Sequence, residues 1–303
     1  MERLEKKGYL ISVEYWVGNL GNHLIQLTSA INVAKQTQSK LTLPPHALLR
    51  RRTYNFMERS NKNCLEPIVG RFFYRTECYQ FPVAYDQQRR VLLRDHLYDD
   101  FQKKSLGETV RRIVHRGDSE AVNPDTLVIN MRSGGDIFRT DPPPQNDYMQ
   151  PPLSFYKHII ESHGYRDCLI VTERDRKNPC IDGLLSWSTD VRIKTHESVK
   201  DDLRTLLSAR HLVMCHSTFS ALAALMSMNL CTLHQPHSFQ LRGLSDVALY
   251  TYKLDNYIRP GEWTASPAQL ALMVNHSVDD IEVFSKPPLR PGETAQLEPS
   301  YLA

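Results

Sequence analysis

Between residues 126 and 234, short apolar runs alternate with amphipathic segments, a pattern that few folds accept. The runs are TLVINM (126–131), CLIVT (168–172), VRIKT (191–195), HLVMC (211–215) and LCTLH (230–234). Helical periodicity separates them at 153–164, 179–187, 198–209 and 218–228. Strands that are apolar throughout need cover on both faces, so a parallel sheet with helices on each side is predicted. The chain opens in the same manner. Leu10–Val17 reads as a strand and 18–22 as a glycine turn, and a helix follows with Leu24, Leu27, Ile31 and Ala34 on one face. LTLP at 41–44 closes that unit as a second strand.

At 303 residues the chain has room for two domains of about 150. The expected class is α/β, with two Rossmann-like domains: 1–120, 121–245 for the second, and 246–303 as a C-terminal helix and tail packing back across them. An amphipathic helix is predicted at 106–116 and another helix at 267–276. Residues 45–100 are rich in Arg, Tyr and Phe; Tyr54, Phe56, Phe72, Phe73 and Tyr74 are expected to fill the first core, the alternative being that they stack on sugar rings.

Charge excludes some functions. With 37 basic against 34 acidic residues, the net +3 is too balanced for a nucleic-acid scaffold and suits a local pocket for a small anion. The first sixteen residues, MERLEKKGYLISVEYW, hold no apolar signal core, and no run approaches the roughly 18 apolar residues of a membrane span. The six cysteines form no CxxC pair and read as buried reduced thiols. The expectation is a soluble, cytoplasmic-type protein with no membrane span.

In open α/β sheets, ligands bind beyond the carboxyl ends of the strands, where three motifs fall. In INMRSGGDIF, Arg132 follows a buried strand directly; a rigid guanidinium there suits a pair of phosphate oxygens. Ser133, Gly134 and Gly135 bring bare backbone close to an anion, and Asp136 can orient Arg132, take a proton or bind a hydroxyl. In HLVMCHSTFSALAALM, His216, Ser217 and Thr218 stand between a strand and an apolar helix, so the helix N-terminus offers N–H groups to phosphate. In VGNLGNH, Gly18, Gly21, Asn22 and His23 open the first helix. The pattern is neither GxGxxG nor GxxxxGK[ST], so it permits close approach without naming a ligand. Glu173 and Asp175 form a degenerate acidic pair after a strand, while His234 and His237 lack a third ligand for zinc. Neither a metal nor a cofactor is expected.

Together the three motifs resemble those of the α1,2-, α1,6- and protein-O-fucosyltransferase group. VGNLGNHLIQLTSAINVAK is similar to its first motif, INMRSGGDIF to its His-x-Arg-x-Gly-Asp, and DDLRTLLSARHLVMCHSTFSALAA to its third. The resemblance covers roughly residues 10–36 and 126–235. It implies a GT-B arrangement and an inverting, metal-independent transfer of a sugar, GDP-fucose being the favoured donor, to a glycan hydroxyl. By that resemblance Arg132 would stabilise the leaving diphosphate. Asn130, Ser133, Gly134, Gly135, Glu173, His216, Ser217 and Thr218 would line the donor, and Gly18 to His23 would face the sugar and acceptor. Asp136 and His23 are the candidate bases, with Glu14 behind them.

Departures keep alternatives open. Asn130 stands where the group has histidine, one glycine is added before Asp136, and His23 replaces a glutamine. A metal-dependent enzyme with another donor such as a UDP-sugar, using Glu173 and Asp175, and a glycan- or nucleotide-binding protein without turnover both remain.

Overall fold

The computed structural model describes residues 10–13, 15–16, 20–36, 40–46, 49, 51–55, 71–74, 122–142, 144, 148–194, 198–241, 244 and 246–288. They divide into two compact units: Met1–Ser119 with Thr218–Met226, and Glu120–Ser217 with Ser227–Ala303. The helix predicted at 106–116 lies outside the described residues, as do Glu14, Gly18, Phe56 and the side chains of Phe72, Phe73 and Tyr74.

In the first unit, β1 (Leu10–Val13) leads into α1 (Leu20–Gln36), followed by β2 (Lys40–Thr42), β3 (Thr53–Asn55) and β4 (Arg71–Tyr74). The sheet order is β3-β2-β1-β4, with β1 parallel to both β2 and β4 and β3 antiparallel to β2. Leu27, Ala30, Ile31 and Ala34 are buried along α1, the three- and four-residue spacing of one helix face. Tyr54 is half-buried, and its hydroxyl accepts from the Arg51 N–H at 3.1 Å.

The second unit holds the alternation. Its elements are β5 (Leu127–Met131), α2 (Leu153–His163), β6 (Cys168–Thr172), α3 (Pro179–Trp187), β7 (Val191–Lys194), α4 (Val199–Ser208) and β8 (His211–Val213), then β9 (Thr232–Pro236), β10 (Ala248–Leu254), α6 (Pro267–Asn275) and β11 (Ile281–Lys286). Between β8 and β9 the chain forms α5 (Thr218–Met226), which belongs to the first unit. The seven-stranded order is β11-β10-β9-β8-β5-β6-β7, parallel throughout except for the β10–β11 pair. The α/β class expected from the alternation is thus present, and all five residues of β5 and of β6 are buried.

Local signals set the helix ends. Asn178 caps α3, its side chain accepting from the Cys180 N–H at 3.0 Å, with Pro179 in the first turn. Ser198 caps α4 and Ser266 caps α6, and Gly164 ends α2 at φ 67°, a left-handed conformation that glycine adopts without a Cβ penalty.

The segment 246–303, expected as a C-terminal helix and tail, carries two strands as well as that helix in its described part, 246–288. In its described part, β10 and β11 extend the second unit's sheet, and Trp263, Ala265 and Met273 enter that unit's core. Residues 248–254, ALYTYKL, form a strand whose buried positions, Leu249 and Tyr252, are three apart, so the two-residue alternation is weak. Cys168, Cys180 and Cys215 are buried free thiols and Cys231 is a half-buried one; Cys64 and Cys78 lie outside the described residues.

Candidate functional site

From β5 the chain order runs outward through β6 and β7 on one side, and on the other through β8, β9 and β10. That is the 3-2-1-4-5-6 order of a doubly wound sheet, with its switch point between β5 and β8. Crossovers depart in opposite directions there, which leaves a crevice beyond the two carboxyl ends. Two of the three sequence motifs leave those two strands.

Arg132 follows β5 with its side chain only 15% exposed, and two carboxylates grip it. Nη2 reaches Asp136 Oδ2 at 2.7 Å and Nε reaches Glu173 Oε1 at 2.5 Å. Burial alone would pull the guanidinium's pKa down, but Glu173 and Asp136 outweigh it, so the net direction is up and the charge is permanent. Glu173 uses its second oxygen to accept from the Ser133 N–H at 2.6 Å. Both of its oxygens are therefore committed to fixing Arg132 and its loop, which makes Glu173 a positioning residue.

Asn178 completes the clamp. Fully buried, it donates from Nδ2 to the Arg132 carbonyl at 3.0 Å, and its own N–H donates to Ser133 Oγ at 3.0 Å. The Lys177 N–H donates to the Ser133 carbonyl at 3.3 Å. Ser133, buried and bonded at N, O and Oγ, is thereby part of the scaffold. On the far side, the Ile137 and Phe138 N–H groups both donate to the Gly134 carbonyl, and buried Trp263 donates from Nε1 to the Ile137 carbonyl at 3.0 Å. At Gly134 a Cβ would lie 2.5 Å from Asp136 Oδ1, so the glycine leaves that carboxylate its place beside Arg132. This loop is pinned at both ends.

Asn178→Ala removes a helix cap and a buried hydrogen bond, each worth about 1 kcal/mol, so a loss of about 2 kcal/mol is expected in chemical unfolding. Because Asn178 also holds the Arg132 carbonyl, the loop that carries Arg132 should loosen with it. An unchanged midpoint would remove the clamp from the account.

The other residues singled out from sequence are distributed as follows. Asn130 turns inward: its Nδ2 donates to the Val171 carbonyl at 3.3 Å and its Oδ1 accepts from Cys215 Sγ at 3.1 Å. In the described contacts it braces β5 against β6 and the chain leaving β8. Asp136 stays 45% exposed beside Arg132. Beyond β8, Ser217 is buried with its N–H on the Cys215 carbonyl at 2.8 Å, and the His216 ring stacks on Phe239 with centroids 4.6 Å apart. The Gln150 side chain, fully buried, donates to the His216 carbonyl at 3.4 Å.

Gly21, His23 and Thr218 belong to the first unit. A Cβ on Gly21 would lie 2.5 Å from Thr218 Oγ1 and 2.7 Å from the Phe219 nitrogen, so this glycine lets α1 and α5 pack closely. His23 Nδ1 and His46 Nε2 share a hydrogen bond of 3.1 Å, and Trp16 packs tilted against the His23 ring and edge-on against that of His46. Asn22 lies on α1, with its side chain outside the described residues, as is the whole of Gly18.

Asp202 was not singled out from the sequence. Burial pushes its carboxyl up to about 7, with Glu173 and Asp201 adding to the shift and Lys194 opposing it. The signal was available in the DDLRTLL stretch that follows Ser198.

No family model and no curated protein matches the chain. Solved structures do. A crystal structure of POFUT1 in complex with GDP-fucose is 12% identical, with a TM-score of 0.44, over 76% of this chain and 99% of that one. A structure of NodZ alpha-1,6-fucosyltransferase soaked with GDP-fucose is 10% identical, with a TM-score of 0.39, over 93% of this chain and all of that one. The structural neighbours are fucosyltransferases.

Proposed function

We propose that this chain is a glycosyltransferase that takes a sugar from a nucleoside diphosphate and passes it to a glycan hydroxyl. The observation that carries the proposal is the placement of Arg132, a permanent cation fixed by two carboxylates and a pinned loop at the switch point of a doubly wound sheet. A pre-oriented guanidinium stabilises charge that grows on a leaving diphosphate without reorganising at the moment of reaction.

In the reaction proposed, the acceptor oxygen attacks the anomeric carbon from the face opposite the diphosphate. The carbon–oxygen bond to phosphate breaks, the configuration inverts, and the hydroxyl proton passes to a base. Asp136 is the proposed base in the second unit and His23 the one in the first. GDP-fucose, the donor present in the POFUT1 and NodZ structures, is the first to be tested.

A metal-independent route is part of the proposal, and the commitment of both Glu173 oxygens to Arg132 and Ser133 supports it. The test is a calorimetric panel of GDP, UDP, CMP and dTDP, each with Mg²⁺, Mn²⁺ or EDTA, followed by transfer assays with the nucleotide sugar that binds. One tight response that survives EDTA is expected. A response that needs the divalent ion overturns the metal-free route, and binding without transfer identifies a non-catalytic binding protein.

A further inference from the structure

We infer that Lys177 is a second cationic ligand of the diphosphate, held over the Gly134–Gly135 turn opposite Arg132. The inference rests on the nucleotide-binding reading above and adds to it a residue from the loop after β6.

The charge around Arg132 calls for it. Two carboxylates share that one guanidinium, so a diphosphate arriving there meets Asp136 and Glu173 as well as the cation. A single guanidinium shared with two carboxylates leaves part of a diphosphate's charge unmatched. Lys177 supplies uncommitted charge: it is exposed, and it forms no ion pair among the described residues. Its Nζ would stand 3.1 Å from a Cβ placed on Gly135, with Asp175 Oδ2 at 3.6 Å from the same point. The absence of a side chain at 135 therefore leaves room for the ammonium group above bare backbone. An anion lying on that backbone would meet the Lys177 ammonium group at the same turn that Arg132 opens.

The lysine is also delivered there by the chain. Arg176 has φ 45°, a left-handed conformation rare for a residue with a side chain, and it turns the loop just before Lys177. The Lys177 N–H is tied to the Ser133 carbonyl, and Asn178 to the Arg132 carbonyl, so the backbone carrying the lysine moves with the backbone carrying the arginine. The two facing loops, 132–139 and 173–177, hold Arg132, Arg139, Arg174, Arg176 and Lys177 against Asp136, Glu173 and Asp175. That is a local excess of positive charge in a nearly neutral protein.

The test is GDP and GMP titration of the wild-type chain, Lys177→Met, Gly135→Ala and the double variant, with melting temperatures measured for each. Lys177→Met is expected to keep its melting temperature and to lose about tenfold in GDP affinity, the scale of one charge-assisted contact, with a smaller loss for GMP. Gly135→Ala crowds the ammonium group and should weaken GDP in the same direction, and the double variant should be no worse than Lys177→Met alone. If the wild type binds GDP and Lys177→Met binds it equally well, the role of Lys177 is overturned and the nucleotide-binding reading stands. If the wild type binds none of GDP, UDP, CMP or dTDP, both fall together.

Discussion

Arg132→Ala is expected to leave the fold intact and to reduce sugar transfer by about a thousandfold or more. Removing one pre-oriented donor to a developing negative charge costs about 10²–10³ in rate, and arginines that neutralise transferring or leaving phosphates reach 10³–10⁵. The fold should survive because the substitution strands no deeply buried charge. Asp136 is already 45% exposed, and Glu173, 38% exposed, keeps its bond from the Ser133 N–H. Arg132→Lys should be nearly as damaging. An ammonium group cannot engage Glu173 through Nε, Asp136 through Nη2 and a phosphate at the same time, whereas a guanidinium has a donor for each. The measurement is kcat and KM with the nucleotide sugar selected by the binding panel, alongside unfolding of the same variants. If Arg132 serves only as a structural ion pair, the result inverts: stability drops and kcat holds.

How much of this was legible beforehand differs between elements for physical reasons. β5, β6, α3 and α6 were readable because burial on both faces writes continuous apolar runs, and because Asn178-Pro179 and Ser266-Pro267 mark helix starts. β10 was missed because its buried positions, Leu249 and Tyr252, do not follow a two-residue alternation. β11 was missed because it is a largely exposed edge strand, with Val283 and Phe284 facing outward. At the site, Arg132 and its turn were visible as a strand ending in charge and glycine. The roles of the neighbours were not, since hydrogen-bond commitment is a three-dimensional property. Asn130 and Ser133 look like ligand-binding residues in sequence and are hydrogen-bonded to neighbouring backbone, while Glu173, 41 residues after Arg132, gives one oxygen to it and the other to the Ser133 N–H. Asn178 and Lys177 carried no motif; only the meeting of two loops gives them a role.

A second expected result concerns acid. His234 is fully buried on β9, with Nδ1 on the Tyr252 hydroxyl at 2.8 Å and Nε2 on the Tyr165 hydroxyl at 3.1 Å. Tyr252 OH reaches on to His163 Nε2 at 3.3 Å, and the rings of His163, Tyr165, Tyr250 and Tyr252 surround His234, with His211 beside Tyr165 and His158 beside Tyr252. Burial holds His234 well below its ordinary pKa, and the imidazoles of His163 and His211 depress it further. The unfolded chain therefore binds a proton at His234 from about pH 6.5 downward, while the folded chain declines it. The stability this histidine contributes is complete above pH 6.5 and is lost as pH falls toward its folded pKa, at about 1.4 kcal/mol per pH unit. Partly exposed His163 and His211, also lowered chiefly by burial, add to the loss in smaller measure. Asp202 acts in the opposite sense: its carboxyl, raised to about 7, takes up a proton on folding as pH falls from 7 toward 3.8, which stabilises the fold. The wild-type profile sums these slopes, so the comparison must be made between variants. His234→Gln should be less stable than the wild type at pH 7.5, because at least one tyrosine hydroxyl loses its partner. As pH falls below 6.5 that gap should narrow, with a limiting slope of about 1.4 kcal/mol per pH unit for one proton. Asp202→Asn should show the reverse trend, gaining on the wild type as pH rises. Urea unfolding at half-unit steps reads both. A gap between His234→Gln and the wild type that stays constant with pH would mean that the folded protein protonates His234 as readily as the unfolded chain does. The tyrosine–histidine network would then be open to water.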